Sequence, residues 1–234
     1  MNREEILLRN YQKVIASLHL SAKFSGRNPD DITLMAVTKY APDEDVLFFL
    51  QQGLIKHIGE SRVQQAELRW NNPLFAKYNT VKHFIGHLQK NKAAKAAKLF
   101  DFIDSLDHIH TAQALEEHVP PGKILRVLVQ VKLTNRDTQS GLTLEDARQL
   151  VQALKTFEHL KVCGYMGIAP QGASEPELRA IFSGLKKVFE EDFPPSAERY
   201  LSLGMSEDFK IAVEEGSNLP RIGSLLFAKN LEEV

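Results

Sequence analysis

The chain has 234 residues, 43% of them hydrophobic and 25% charged, which suits one globular domain over residues 1–234 with a well-filled core. A formal charge of -1 supplies no global field toward nucleic acid or an anionic membrane, and no run approaches the ~18 apolar residues of a bilayer span. The single cysteine, Cys163, excludes an intramolecular disulfide, and the start "MNREEILLRN" has neither a signal core nor a transit pattern, so the cytoplasm is the expected compartment.

In chain order, Ile6, Leu7, Tyr11, Val14, Ile15 and Leu18 recur at helical spacing and predict an amphipathic helix over about 3–24. Short apolar runs then alternate with helical patterns. The runs are "TLMAVTK" (33–39), "KHIGE" (56–60), "VKHFIG" (81–86), "DFIDSLD" (101–107), "ILRVLVQVKL" (124–133), "KVCGYMGIA" (161–169), "YLSLGM" (200–205) and "LPRIGSLLF" (219–227). Between them, "DEDVLFFLQQG", "LQKNKAAKAAKLF", "TLEDARQLVQALKTF" and "EPELRAIFSGLKKVFEED" each carry an apolar stripe, with stop signals such as Gly53 and Pro194. Continuously apolar strands, each followed by a helix, imply a parallel sheet covered on both faces. Eight such units predict a single (β/α)8 TIM-like barrel with an extra N-terminal helix, ahead of a doubly wound open sheet. No linker, repeat or low-complexity tract divides the chain.

Barrel chemistry collects at the carboxyl ends of the strands. There the chain offers Lys39, "GES" (59–61), "HFIGH" (83–87), Met166, "GMS" (204–206) and "RIGS" (221–224). A lysine at a strand end often only reaches solvent along its stem. Held rigidly and partly desolvated, the same amine condenses with an aldehyde. "SLGMSEDFKIAVEEG" reads as a strand entering a helix with Ser206 as N-cap. In "RIGS" a glycine flanked by small residues admits an anion, and Arg221 adds a fixed charge. The bland reading of Arg221 is a pair with a carboxylate such as Glu60. A ligand with an aldehyde and a phosphate fits this set, and pyridoxal 5′-phosphate (PLP) is one.

At these residues the chain resembles the pyridoxal-phosphate homeostasis protein family, PLP-binding barrels of the alanine racemase N-terminal-domain type. The matching stretches are "AVTK", "IGESRVQQ", "KHFIGHLQKNK", "SG" (140–141), "GYMGIA" and "LSLGMSEDFKIAVEEGSNLPRIGSLLFA", nearly the whole length. The resemblance implies PLP fold type III, with Lys39 holding PLP covalently as an internal aldimine. It also implies Ser206, Gly223 and Ser224 at the phosphate and Arg221 at the pyridine nitrogen, with Ser61, His83 and Met166 as further cofactor contacts. An arginine there keeps the pyridine nitrogen unprotonated and weakens the ring as an electron sink. The family's Asn and Tyr after "GE" are Ser61 and Arg62 here, and its Trp before His83 is Lys82. A buried His83 is expected to be neutral and bonded to backbone, and His57 and His87 to be structural or exposed.

Lys90, Lys92, Lys95 and Lys98 lack interleaved aromatics, so no nucleic-acid patch is expected. His108, His110 and Cys163 lack metal-ligand spacing, and no metal is expected. The function the resemblance implies is a monomeric carrier that holds PLP and supplies PLP-dependent apoenzymes, with no substantial turnover. Racemases of this type need a second base opposite the lysine, which the resemblance assigns to an additional domain, and this chain ends at Val234. Tyr40 and Tyr165 are not placed on that opposite face by sequence. The alternatives are a small PLP-dependent amino-acid racemase using the same lysine, or a PLP-free aldolase.

Overall fold

Each apolar run becomes a strand because both of its faces are covered, by helices outside and by other strands' side chains within. The computed structural model describes residues 2–134, 140–195 and 198–229. Among these, the strands are β1 (Met35–Val37), β2 (His57–Glu60), β3 (Val81–Phe84), β4 (Phe102–Leu106), β5 (Leu125–Lys132), β6 (Leu160–Ile168), β7 (Tyr200–Ser202) and β8 (Arg221–Ile222). Every ladder is parallel, in the spatial order β7-β6-β5-β4-β3-β2-β1-β8. Between β7 and β8 single bonds replace a ladder, Arg221 N donating to Gly204 O at 2.9 Å and Ser202 Oγ to Leu219 O at 2.9 Å. The result is a nearly closed (β/α)8 barrel.

The helices are α1 (Arg3–Phe24), α2 (Asp43–Gln51), α3 (Val63–Trp70), α4 (Pro73–Ala76), α5 (Ala93–Leu99), α6 (Ile109–Glu116), α7 (Leu144–Leu154), α8 (Glu175–Asp192), α9 (Phe209–Glu214) and α10 (Ser224–Phe227). The extra helix α1 packs on α9 and α10. Its Arg3 pairs with Asp45 of α2 and donates to the carbonyls of Phe227 and Ala228, tying the first turn to the end of the barrel. None of the helices among the described residues is long and apolar enough to cross a membrane.

Alternation along the strands makes two cores. Ala36, Ile58, Phe84, Ile103 and Ile222 join the core shared with the helices, whereas Met35, Leu128, Cys163, Met166 and Leu219 form a separate cluster inside the barrel. Gly164, at φ +147°, lets β6 approach β7: a Cβ there would lie 1.9 Å from Tyr200 O.

Two expected boundaries move the most, while β1 and β7 are shorter than the runs that predict them. The expected last strand (219–227) ends at Ile222, and "SLLF" is helical instead, burying Leu226 under α1, where Asn10 Nδ2 donates to Leu226 O at 3.1 Å. The expected helix over "LQKNKAAKAAKLF" shortens to α5 behind a single 3-10 turn, because no side chain caps its start.

Candidate functional site

β1 ends at Val37. Thr38 N still reaches Gly59 O at 3.0 Å, and Ala41 N closes a turn on Thr38 O at 2.9 Å, so Lys39 and Tyr40 stand out from the rim before α2 begins. Lys39 is half-buried, its Nζ 5.1 Å from the centroid of the exposed Tyr40 ring, and among the described residues it has no hydrogen bond or ion pair. It borders a cavity of about 430 Å³ with Tyr40, Ala41, Asp43, Glu60, Gln65, Leu68 and Arg69. Glu60 accepts from Thr38 Oγ1 at 2.7 Å and Arg69 Nη1 at 2.5 Å. Burial raises the Glu60 carboxyl above its ordinary range, and Arg69 and Thr38 offset this in part.

Arg221 enters the barrel interior from β8 and is 4% exposed. Its Nη1 donates to Ser202 O at 2.7 Å and Ser202 Oγ at 2.8 Å, and its Nη2 to Gly167 O at 2.9 Å. Among the described residues no carboxylate lies within ion-pair distance of it. Glu60, its expected partner in the bland reading, is taken by Arg69. Burial pushes the Arg221 guanidinium down to about 10, against the more distant charges of Asp104 and Asp208.

His83 is fully buried, but its partners are side chains and not the expected backbone. Nδ1 lies 3.0 Å from Asp104 Oδ1, Nε2 lies 3.0 Å from His57 Nδ1, and the ring stacks on Phe102 at 4.3 Å. Asp104 as a carboxylate accepts from Nδ1, and Nε2 shares a hydrogen bond with His57 Nδ1. Neither ring nitrogen of His83 is left for a ligand. Asp104 and Arg69 are the groups the sequence analysis missed. A carboxylate at an inward position of a strand buried on both faces was a usable signal for Asp104, whereas nothing local marks Arg69.

The remaining predicted residues are spread around the carboxyl rim. Ser61 follows β2, and its carbonyl lies where a Cβ on Gly86 would come within 2.2 Å, so the loops after β2 and β3 touch. Met166 is buried inside the barrel. Ser206 is not the helix N-cap: Asp208 holds that place, its Oδ1 accepting from Met205 N at 2.6 Å while Phe209 N bonds Met205 O, which delays α9 past Ser206. Gly223 caps the short helix α10, and Ser224 begins it, exposed. The ladder pairs Met35 with Arg221 and Ala36 with Ile222, and a Cβ on Gly223 would sit 3.1 Å from Val37 O, so "RIGS" runs beside the strand that ends in Lys39.

Two other groups are excluded from this rim. Tyr165 faces the helices and donates to Asp192 Oδ2 at 2.7 Å. Cys163 lies inside the barrel, where burial pushes its thiol up to about 11, which leaves it an unreactive apolar filler. Trp70 stacks under Lys82, whose Nζ is 5.8 Å from the ring.

The donor set fits PLP. It combines an amine without a hydrogen bond or ion pair at one strand end, a buried guanidinium without a carboxylate, and a glycine at the neighbouring strand end whose missing Cβ lets it lie close against Val37.

The profile of the alanine racemase N-terminal domain family matches residues 22–230. A pyridoxal phosphate homeostasis protein of Pseudomonas aeruginosa is 32% identical over 222 residues, covering 94% of each chain. PipY of Synechococcus elongatus, whose structure was solved with PLP bound, superposes with a TM-score of 0.77 at 30% identity, over 91% of this chain and 100% of its own. Alanine racemase of Clostridium difficile superposes with a TM-score of 0.70 at 15% identity, over 96% of this chain and 58% of its own, a likeness of fold alone.

Proposed function

The chain belongs to the alanine racemase N-terminal domain family, among its pyridoxal phosphate homeostasis proteins, and from that membership we propose that it holds PLP on Lys39 and serves PLP supply without substantial turnover. The observation that carries the reading is the similarity at about 30% identity along nearly the whole of both chains to proteins of that name, against 15% to a racemase. When bound, PLP supplies an electrophilic aldehyde and an electron-withdrawing ring.

In this reading the Lys39 amine would hold the cofactor by condensing with its aldehyde, the amine's two protons leaving with the aldehyde oxygen as water. Ser206, Gly223 and Ser224 hold its phosphate, and Arg221 faces the pyridine nitrogen. Near neutral pH Arg221 carries its proton and so acts there as a donor, leaving that nitrogen unprotonated. Ser61 and Met166 line the ring, and His83 acts behind them through its bonds to Asp104 and His57. The protein works as a monomer in the cytoplasm, and PLP-dependent apoenzymes are its recipients.

Low turnover is supported by how two of the candidate second bases, Tyr165 and His83, are engaged. Removing an α-proton and returning it on the other face needs two bases at the reacting carbon. Tyr165 is bonded to Asp192 on the helix side of the sheet, and both nitrogens of His83 are occupied. Incubation of the PLP-loaded protein with L-alanine in D₂O should give no α-deuterium and no D-isomer above the rate of free PLP. Turnover on the order of 1 per second, as in slow enzymes, overturns the carrier reading in favour of a racemase.

The phosphate assignment has its own test. A valine at Gly223 carries its Cβ to 3.1 Å from Val37 O, so the chain beside the proposed phosphate site must shift to admit it. Gly223→Val should weaken retention of PLP about tenfold or more while changing pyridoxal binding far less, read by equilibrium dialysis of both ligands. Equal losses would mean that the phosphate lies elsewhere.

A further inference from the structure

Resting on the reading of Lys39 as the attachment point, we propose that Arg69 is a positioning residue that keeps the Lys39 amine unpaired by engaging both carboxylates that share its cavity. The titratable groups lining that cavity are Lys39 and Tyr40 of the turn, Asp43 of α2, Glu60 of β2 and Arg69 of α3. A carboxylate free to approach an ammonium pairs with it, and a paired ammonium holds its proton and is not a nucleophile.

Arg69 intercepts both acids. Its Nη1 lies 2.5 Å from Glu60 Oε1 and its Nε 2.7 Å from Asp43 Oδ1, while Thr38 Oγ1 donates to the same Glu60 oxygen at 2.7 Å. The same guanidinium fixes the backbone around the lysine. Nη1 donates to Thr38 O at 3.1 Å and Nη2 to Ala41 O at 2.8 Å, the carbonyls on either side of Lys39 and Tyr40. The Arg69 side chain is only 12% exposed and Glu60 2%, so solvent screens this pair weakly, whereas Asp43 at 46% is half in water. Glu60 is therefore the acid whose release would matter most. A planar fork of five donors can serve four acceptors on three elements at once, which an ammonium cannot.

The test reads the amine without the cofactor. The full chain, stripped of PLP, is labelled with trace acetic anhydride from about pH 6 to about pH 10, and acetylation at Lys39 is followed by mass spectrometry alongside thermal unfolding of each variant. Arg69→Gln should slow Lys39 labelling at about pH 7.5 roughly tenfold and move its rate profile to higher pH. Adding Glu60→Gln to that variant should return the profile to the parent's, because the freed acid is gone. Arg69→Lys keeps a cation beside Glu60 and should label within about twofold of the parent, although it loses backbone bonds and unfolds at a lower temperature. An Arg69→Gln profile superimposed on the parent's overturns the proposal, as does failure of the double variant to recover. Should Arg69→Gln not fold, Arg69→Lys decides: labelling that falls in step with its thermal midpoint assigns Arg69 a merely structural role. Labelling succeeds or fails independently of PLP attachment, which borohydride trapping tests separately.

Discussion

Lys39→Ala should abolish the visible absorbance of the PLP-loaded protein and any borohydride-trapped adduct while leaving the barrel folded. The amine is the only part of Lys39 with a proposed partner, since among the described residues it makes no hydrogen bond or ion pair and rests against an exposed ring. Removing such a rim side chain changes stability by about 0.5 kcal/mol or less. Loss of the chromophore with an unchanged thermal midpoint is therefore the expected pair of results. Mass spectrometry of the reduced parent should place the adduct at Lys39, and a reducible chromophore persisting in the variant would sink the assignment.

Lowering the pH from 7 to 5 should destabilise the fold by about 2 kcal/mol through His57. Burial, the neighbouring His83 ring and Lys56 together push the His57 imidazole down from its ordinary 6.5 to about 3. The unfolded chain therefore takes up a proton at His57 below about pH 6.5 that the native chain refuses until about pH 3. Stability present above the higher value is lost as the pH falls through that window. The Glu198 carboxyl, held near about 2 by Arg126 and Lys161, titrates below the interval tested. Urea unfolding at the two pH values should show the loss in the parent and less than half of it in His57→Gln. An equal loss in both would assign the acid sensitivity to another group.

The alternation of short apolar runs with amphipathic helices was readable because each period is written in neighbouring residues. Lys39 was readable at a strand end for the same reason: a run that stops marks a rim. The end of the last strand was less legible. "SLLF" is apolar enough for either state, and α1, which arrives from the other end of the chain, settles it as helix. The Ser206 N-cap failed on a nearer competitor, since Asp208 accepts from Met205 N and takes the cap two residues later than Ser206 suggests.

The groups that tune the rim follow a different logic. His83 meets His57 and Asp104, 26 and 21 residues away, because parallel register sets β3 between β2 and β4 and turns their inward positions toward one another. Arg69 reaches Thr38, Ala41, Asp43 and Glu60 from α3, whose apolar stripe of Val63, Ala66 and Trp70 leaves it among the polar positions. Tyr165 could have faced either side of its strand, and a register shift between β5 and β6 sends it to the helices. Local periodicity tells which residues lie at a strand end, since it depends on backbone geometry over a few residues. Which side chains then face one another depends on strand register, barrel closure and helix docking, and those are properties of segments brought together only when the chain folds.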